Sequence, residues 1–211
     1  MKPHFGQEIQ GKGKPLGEGK AAMIMVHGRG AAPANILELA DHLPHPELTY
    51  LAPAAASHTW YPYSFLAPIP QNEPGISSGI FTIKSLVDKV KEEGIPSEKI
   101  FFLGFSQGAC LTSEFLVRNP DTYGGALIYS GGVIGPEDTP RDYEGSLKGT
   151  PIFLGCSDVD AHVPKWRVDE SAEIFEKMEA DVTKRIYPGM PHTIIEDEIL
   201  FGKEMIDQRM G

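Results

Sequence analysis

Short apolar runs alternate with amphipathic stripes along this chain. Ala21–Val26 is unbroken apolar sequence, the pattern of a strand buried on both faces. Ile36, Leu39, Ala40 and Leu43 then recur at the three- and four-residue spacing of a helix with one buried face. The pair repeats: 48–52 reads as a strand, and Ile83, Leu86, Val87 and Val90 form a second helical stripe, stopped by Gly94 with Pro96 just beyond. A third strand over 99–104 feeds a predicted helix over 107–118 that ends before Pro120. Three more strands are expected over 126–129, 151–154 and 182–187. Val168, Ala172, Phe175 and Met178 mark one later helix, and Ile195, Ile199 and Ile206 another. Strands and helices in alternation, with the strands apolar throughout, predict an α/β protein of three layers whose mostly parallel sheet is covered on both faces.

Two segments break the rhythm. Residues 53–75 hold five prolines together with Trp60, Tyr61, Tyr63, Phe65 and Leu66, and a loop of that length inside a compact domain is usually functional. Residues 131–149 are rich in glycine, proline and charge without apolar periodicity, and read as a surface excursion. Both begin where parallel strands end, the edge at which such sheets bind ligands. The N-terminal stretch before Ala21 is polar and glycine-rich and predicts no element.

A length of 211 residues, against about 150 per domain, points to a single domain over 1–211. Nineteen basic against 29 acidic side chains leave a net charge of −10, which disfavours nucleic acid and anionic membrane surfaces as partners. The longest apolar run, six residues, falls far short of the roughly 20 a membrane helix needs. Met1-Lys2-Pro3-His4 is followed by glycines rather than by a secretory signal's apolar core, so a cytoplasmic location without stable membrane insertion is expected. Cys110 and Cys156 lack any zinc-binding spacing and read as small core residues.

The chemistry begins at Gly104-Phe105-Ser106-Gln107-Gly108. This G-x-S-x-G follows a predicted strand and opens a predicted helix, the setting of a nucleophile elbow. Glycine at the flanking positions suits a sharp turn that brings neighbouring chain close to a serine in strained backbone. A serine hydroxyl is a weak nucleophile at neutral pH and needs an imidazole to take its proton and a carboxylate to orient that imidazole. The chain order for such an elbow is serine, acid, histidine. His4, His42 and His45 lie in the polar N-terminus or flank a helix end, and His27 and His58 precede Ser106, which leaves His162 and His192. His192, after the last predicted strand, is favoured. The acid lies in the loop after 151–154; Asp160, just ahead of Val163-Pro164, is preferred, with Asp158 as its rival. The oxyanion of acyl transfer needs two backbone donors, one following the nucleophile and one after an early strand. Gln107 supplies the first, and Arg29 of His27-Gly28-Arg29-Gly30 the second, with His27 bonding within its turn.

In these motifs the chain resembles the phospholipase/carboxylesterase family of small serine hydrolases, which includes bacterial carboxylesterases and acyl-protein thioesterases. The resemblance runs from Met25 to His192 and rests on Val26-His27-Gly28-Arg29-Gly30, Gly104-Phe105-Ser106-Gln107-Gly108-Ala109, Asp160-Ala161-His162-Val163-Pro164 and Pro188-Gly189-Met190-Pro191-His192. It implies an α/β-hydrolase fold without a large cap domain, Ser106, Asp160 and His192 as catalytic triad, the amides of Arg29 and Gln107 as oxyanion hole, and neither cofactor nor metal. Eukaryotic thioesterases of the family tend to carry an aliphatic residue in place of Arg29 and glycine in place of Pro191, which argues against an acyl-protein thioesterase role. The loop holding Trp60, Tyr61, Phe65 and Leu66 looks like the one that lines the acyl pocket in bacterial members; anchoring of that loop to the core would explain the same aromatics equally well. The expected activity is hydrolysis of small esters, short-acyl or aryl, through an acyl-enzyme on Ser106. Thioester, lysophospholipid or lactone hydrolysis are the alternatives within the fold, a catalytically silent ligand-binding protein is the alternative outside it, and a homodimer is compatible with the sequence.

Overall fold

The computed structural model describes residues 3–211; Met1 and Lys2, the start of the stretch read for a secretory signal, lie outside the described residues. Seven strands, β1 (Ile9–Gly13), β2 (Ala21–Val26), β3 (Leu48–Pro53), β4 (Ile100–Phe105), β5 (Gly125–Tyr129), β6 (Pro151–Ser157) and β7 (Asp181–Tyr187), form one sheet in the order β1-β3-β2-β4-β5-β6-β7. Every neighbouring pair is parallel except β1 with β3. The six parallel strands lie where they are predicted, β2 to β6 as buried, largely apolar runs and β7 as a half-buried edge with polar positions. β1 is the addition. Its sequence, Ile-Gln-Gly-Lys-Gly, has no apolar alternation because the strand is an exposed edge held to β3 by its backbone.

The helices divide between the two faces. In β2, Ala22, Ile24 and Val26 point into a core shared with α3 (Gly75–Glu92), α4 (Gln107–Arg118) and α5 (Lys165–Lys177). Ala21, Met23 and Met25 point into the opposite core, against α1 (Pro33–Leu37) and α6 (Glu196–Met210). This alternation on a strand buried on both sides is why β2 carries no polar position. Helix α3 ends as its sequence predicts. Gly94 takes a φ of +88°, its amide donates to Lys91 O at 3.0 Å, and the amide of buried Ile95 reaches Val90 O at 3.3 Å, a Schellman closure.

Two expectations are corrected. The stripe from Ile36 to Leu43 is not one helix: α1 stops at Leu37 and a 3-10 turn, Glu38–Asp41, follows, and Pro44, which disfavours helical backbone at Leu43, bars the helix from running through the end of the stripe. The apolar positions Ile36, Ala40 and Leu43 are nonetheless buried. The excursion over 131–149 is only partly on the surface. Residues 131–135 are buried, and side chains replace a partner strand there: Val133 N donates to Ser171 Oγ at 3.0 Å and Ile134 N to Glu114 Oε2 at 2.9 Å. The chain emerges at Glu137. The 53–75 segment contains a short turn, Ala56–His58, and one helical turn, α2 (Ile69–Asn72). Buried Asn72 staples it, accepting from Tyr63 N and donating to Ser64 O. Both cysteines are free and buried, with thiol pKa values that burial pushes up to about 12. No helix among the described residues is long and apolar enough to cross a membrane.

Candidate active site

Ser106 sits between β4 and α4 with φ 55° and ψ −119°, backbone that a non-glycine residue adopts at a cost of about 1–3 kcal/mol. The surroundings hold it there. Ser106 N donates to Tyr129 O and Cys110 N to Ser106 O, each at 3.0 Å. A Cβ on Gly104 would meet Gly108 O at 2.6 Å, and one on Gly108 would meet His27 O at 2.6 Å and approach Val26 O closer still. The two glycines of the motif are therefore fixed by close approach of backbone to backbone, as the sequence predicts.

The loop after β6 carries both aspartates, and they do different things. Asp160 Oδ2 lies 2.6 Å from His192 Nδ1, and its Oδ1 accepts from the amides of His162 at 2.8 Å and Val163 at 3.0 Å. Asp158 instead accepts from Gly189 N at 2.7 Å, bracing the loop that delivers His192. Burial works to raise the Asp160 pKa, but the bonds from His192 and the two amides outweigh it and hold the carboxyl below its ordinary value. With Nδ1–H given to this carboxylate, the His192 lone pair is on Nε2. The ring lies 5.0 Å from that of Phe105 and 4.8 Å from that of His162, centroid to centroid.

Ser106 and His192 line one pocket of about 690 Å³, together with Gly28, Arg29 and Gln107. No hydrogen bond joins Ser106 to His192 in this conformation; such bonds are often long without substrate and tighten when it binds. The amides of Arg29 and Gln107 have no hydrogen-bond acceptor among the described residues, so two backbone donors are unused at the pocket wall.

The side chains of these same two residues hold the aromatic loop. Gln107 Oε1 accepts from Trp60 N at 2.9 Å and its Nε2 donates to Tyr61 O at 2.8 Å. The Arg29 guanidinium donates to Pro62 O at 2.9 Å and Tyr63 O at 2.7 Å. Of the four residues expected on the substrate wall, Tyr61 and Phe65 line the pocket. Trp60 is fully buried behind it, donating from Nε1 to His27 O at 2.9 Å, and Leu66 packs half-buried against the core. The loop thus lines the pocket with Tyr61 and Phe65 and is anchored to the core by Trp60 and Leu66.

Sequence reasoning passed over three contributors. His162, the histidine set aside, lines the pocket against His192, and Cys110 lines it one turn into α4. His4, assigned to a polar N-terminus, is buried. Its Nδ1 accepts from Ala56 N at 2.9 Å and its Nε2 meets Trp60 O at 2.8 Å, so it plugs the back of the aromatic loop. Next to it, His27 Nε2 accepts from Ala55 N at 3.1 Å while Nδ1 faces Gly28 O. Burial lowers the pKa of both imidazoles, which act here as neutral acceptors for adjacent amides. A histidine one residue from the described N-terminus gives no sequence signal of such a long-range role.

The phospholipase/carboxylesterase family model matches residues 8–209. The chain belongs to this family. A solved phospholipase/carboxylesterase from Dyadobacter fermentans is 43% identical, with a TM-score of 0.93 over 98% of each chain. The solved SOBER1 of Arabidopsis thaliana, 19% identical over 90% of this chain and 99% of its own, shares the fold at a TM-score of 0.76. Among curated relatives, acyl-protein thioesterase 1 of Kluyveromyces lactis is 34% identical over 128 residues, which is 59% of this chain and 56% of that protein. A probable carboxylesterase, SOBER1-like, of Arabidopsis thaliana is 28% identical over 67% of this chain and 54% of its own length. The chain spans about half the length of these curated relatives. The fold is the α/β-hydrolase arrangement expected from the resemblance, without a large cap among the described residues.

Proposed function

We propose that this protein is a serine carboxylesterase acting on small esters through an acyl-enzyme. The observation that carries the reading is the Asp160–His192 pair facing the same pocket as a strained Ser106 and two unused amides. Ser106 Oγ forms a bond to the ester carbonyl carbon as its proton passes to His192 Nε2, and the amides of Arg29 and Gln107 receive the charge that develops on oxygen. Collapse breaks the bond to the leaving oxygen, which takes the proton from His192 and departs as the alcohol. Water then gives a proton to His192 and its oxygen to the acyl carbon, and release of the carboxylic acid returns the proton to Ser106. The aromatic loop pinned by Gln107 and Arg29 bounds the acyl slot with Tyr61 and Phe65, which supports short-acyl or aryl esters. Likeness to an acyl-protein thioesterase supports thioesters as a second substrate class for the same machinery.

The test is covalent labelling by a fluorophosphonate, read by intact mass, on wild type and Ser106→Ala, followed by turnover of 4-nitrophenyl esters of rising acyl length. One adduct on wild type, none on the variant, and turnover that falls with chain length are expected. A folded wild type that takes no label and hydrolyses no ester would overturn the reading in favour of a silent binding protein.

A further inference from the structure

The aspartates and glutamates that dominate the surface of this chain, net charge −10, are absent from the pocket wall. The one carboxylate of the site, Asp160, has a fully buried side chain behind His192. At the wall, Arg29 carries a positive charge that no carboxylate among the described residues pairs with. Arg118, Arg141, Arg167 and Arg185 all pair with acids; Arg209, far from the pocket, meets only Tyr123 O, and the Arg29 guanidinium, at the pocket wall, bonds only to neutral oxygens: Pro62 O, Tyr63 O and, at 3.4 Å, Thr59 Oγ1. Those bonds use both terminal nitrogens and press the group along the loop, 5.9 Å from the Tyr61 ring centroid. They leave Nε–H and one Nη2–H without a partner among the described residues, two donors on a fork whose orientation is already fixed.

The charge strengthens the bonds to the loop carbonyls, and with two donors left over the same group can also hold an anion. We infer that Arg29 is the specificity-determining residue for esters that carry a carboxylate, held by the guanidinium while the ester carbonyl sits at Ser106. This inference rests on the esterase reading and narrows its substrate class. Because the amide and the side chain belong to one residue, the anion is placed at a set distance from the reacting carbonyl, and binding and positioning are coupled. An anion fixed by a charge-assisted, two-pronged contact discriminates strongly against a neutral isostere.

The experiment compares two ester pairs, each an anionic ester with its neutral amide isostere. Monoethyl adipate against ethyl adipamate places the charge on the acyl side; 4-acetoxybenzoate against 4-acetoxybenzamide places it on the leaving side. The quantity read is the anionic-to-neutral ratio of kcat/KM, in wild type, Arg29→Met and Arg29→Lys. Intrinsic reactivity and any damage to the loop affect both members of a pair and cancel when the ratio is compared between proteins. On at least one pair the ratio falls about tenfold in Arg29→Met and by less in Arg29→Lys. A fall of less than threefold on both pairs overturns the inference, including the case in which wild type prefers the anion through another group. Should Arg29→Met not fold, the salt dependence of wild type decides: KM for the anionic ester rises between 0.02 and 0.5 M sodium chloride while that for the amide stays level, and parallel behaviour overturns the inference. In each of these failures wild type still turns over neutral esters through Ser106, which separates them from failure of the esterase reading itself.

Discussion

Replacing Asp160 by asparagine removes one charge and leaves the shape, and the structure dictates which way the new amide must face. Oδ1 accepts from two backbone amides, at 2.8 and 3.0 Å, and only an oxygen can do so. The asparagine nitrogen therefore occupies the Oδ2 position, 2.6 Å from His192 Nδ1, and presents a hydrogen to it. His192 must answer with its lone pair on Nδ1, which puts its proton on Nε2, the atom that has to receive the Ser106 proton. The flipped alternative gives up both amide bonds at about 1 kcal/mol each and sets N–H against N–H, so it offers no escape. In the favoured orientation the tautomer is wrong where catalysis needs it right, and the flipped one restores it only at the cost of the loop that holds the residue, so the expected loss in kcat is about 10⁴-fold, roughly 5.5 kcal/mol, the size seen when a triad aspartate is amidated elsewhere. Asp158→Asn keeps its oxygen on Gly189 N and costs less than about threefold. Steady-state kinetics on a 4-nitrophenyl ester measure both, with thermal unfolding as the control for fold. A loss below tenfold in Asp160→Asn, or the reverse ranking of the two variants, would refute the assignment.

Gly108→Ala drives a Cβ into the backbone of Val26 and His27, and the protein is expected to lose several kcal/mol or fail to fold, read as a shifted denaturant midpoint. Gln107→Ala removes two buried bonds to the aromatic loop, for about 2–3 kcal/mol of stability in urea, and raises KM as the loop loosens. Buried Glu198 has its pKa pushed up to about 7 by burial, above the unfolded value near 4.3, so the proton it holds in the folded state stabilises fully below about pH 4 and that contribution disappears as pH rises through about 7. Glu198→Gln, neutral at every pH, should therefore gain stability over wild type between pH 5 and 8, by about 2 kcal/mol in urea denaturation; an equal difference at both pH values would contradict the shift.

The sheet was legible because five of its strands, β2 to β6, are buried on both faces and so spell themselves as largely apolar runs, and the elbow because its glycines stand where backbone meets backbone. Ser106, His192 and the aspartate pair could be found by order along the chain, since each occupies the turn after a strand. Choosing Asp160 over Asp158 depends on which carboxylate lies at 2.6 Å from an imidazole, and no local pattern encodes that. The features that escaped share a physical cause. β1 is exposed, so it needs no apolar residues; 131–135 are satisfied by Ser171 and Glu114 from other elements; His4 works through contacts more than 50 residues away. Where backbone polar groups are satisfied by distant side chains, the sequence carries no period to read.

The roles of Arg29 and Gln107 tie these levels together. Each presents a free amide to the pocket and spends its side chain on the loop that closes it: Gln107 holds residues 60 and 61, Arg29 holds 62 and 63. The two free amides and the loop wall are therefore coupled, and in the proposed reaction the wall would keep its distance from the point where charge develops. Behind them, neutral His4 and His27 accept the amides of Ala56 and Ala55 and so carry the far side of the same loop. Protonation of either ring would remove its acceptor and set N–H against N–H. Because burial lowers both imidazole pKa values, the unfolded chain takes up protons that the folded chain refuses as pH falls below about 6.5, so acid should lower thermal stability and loosen substrate binding together, visible as a falling unfolding temperature and a rise in KM for a neutral ester.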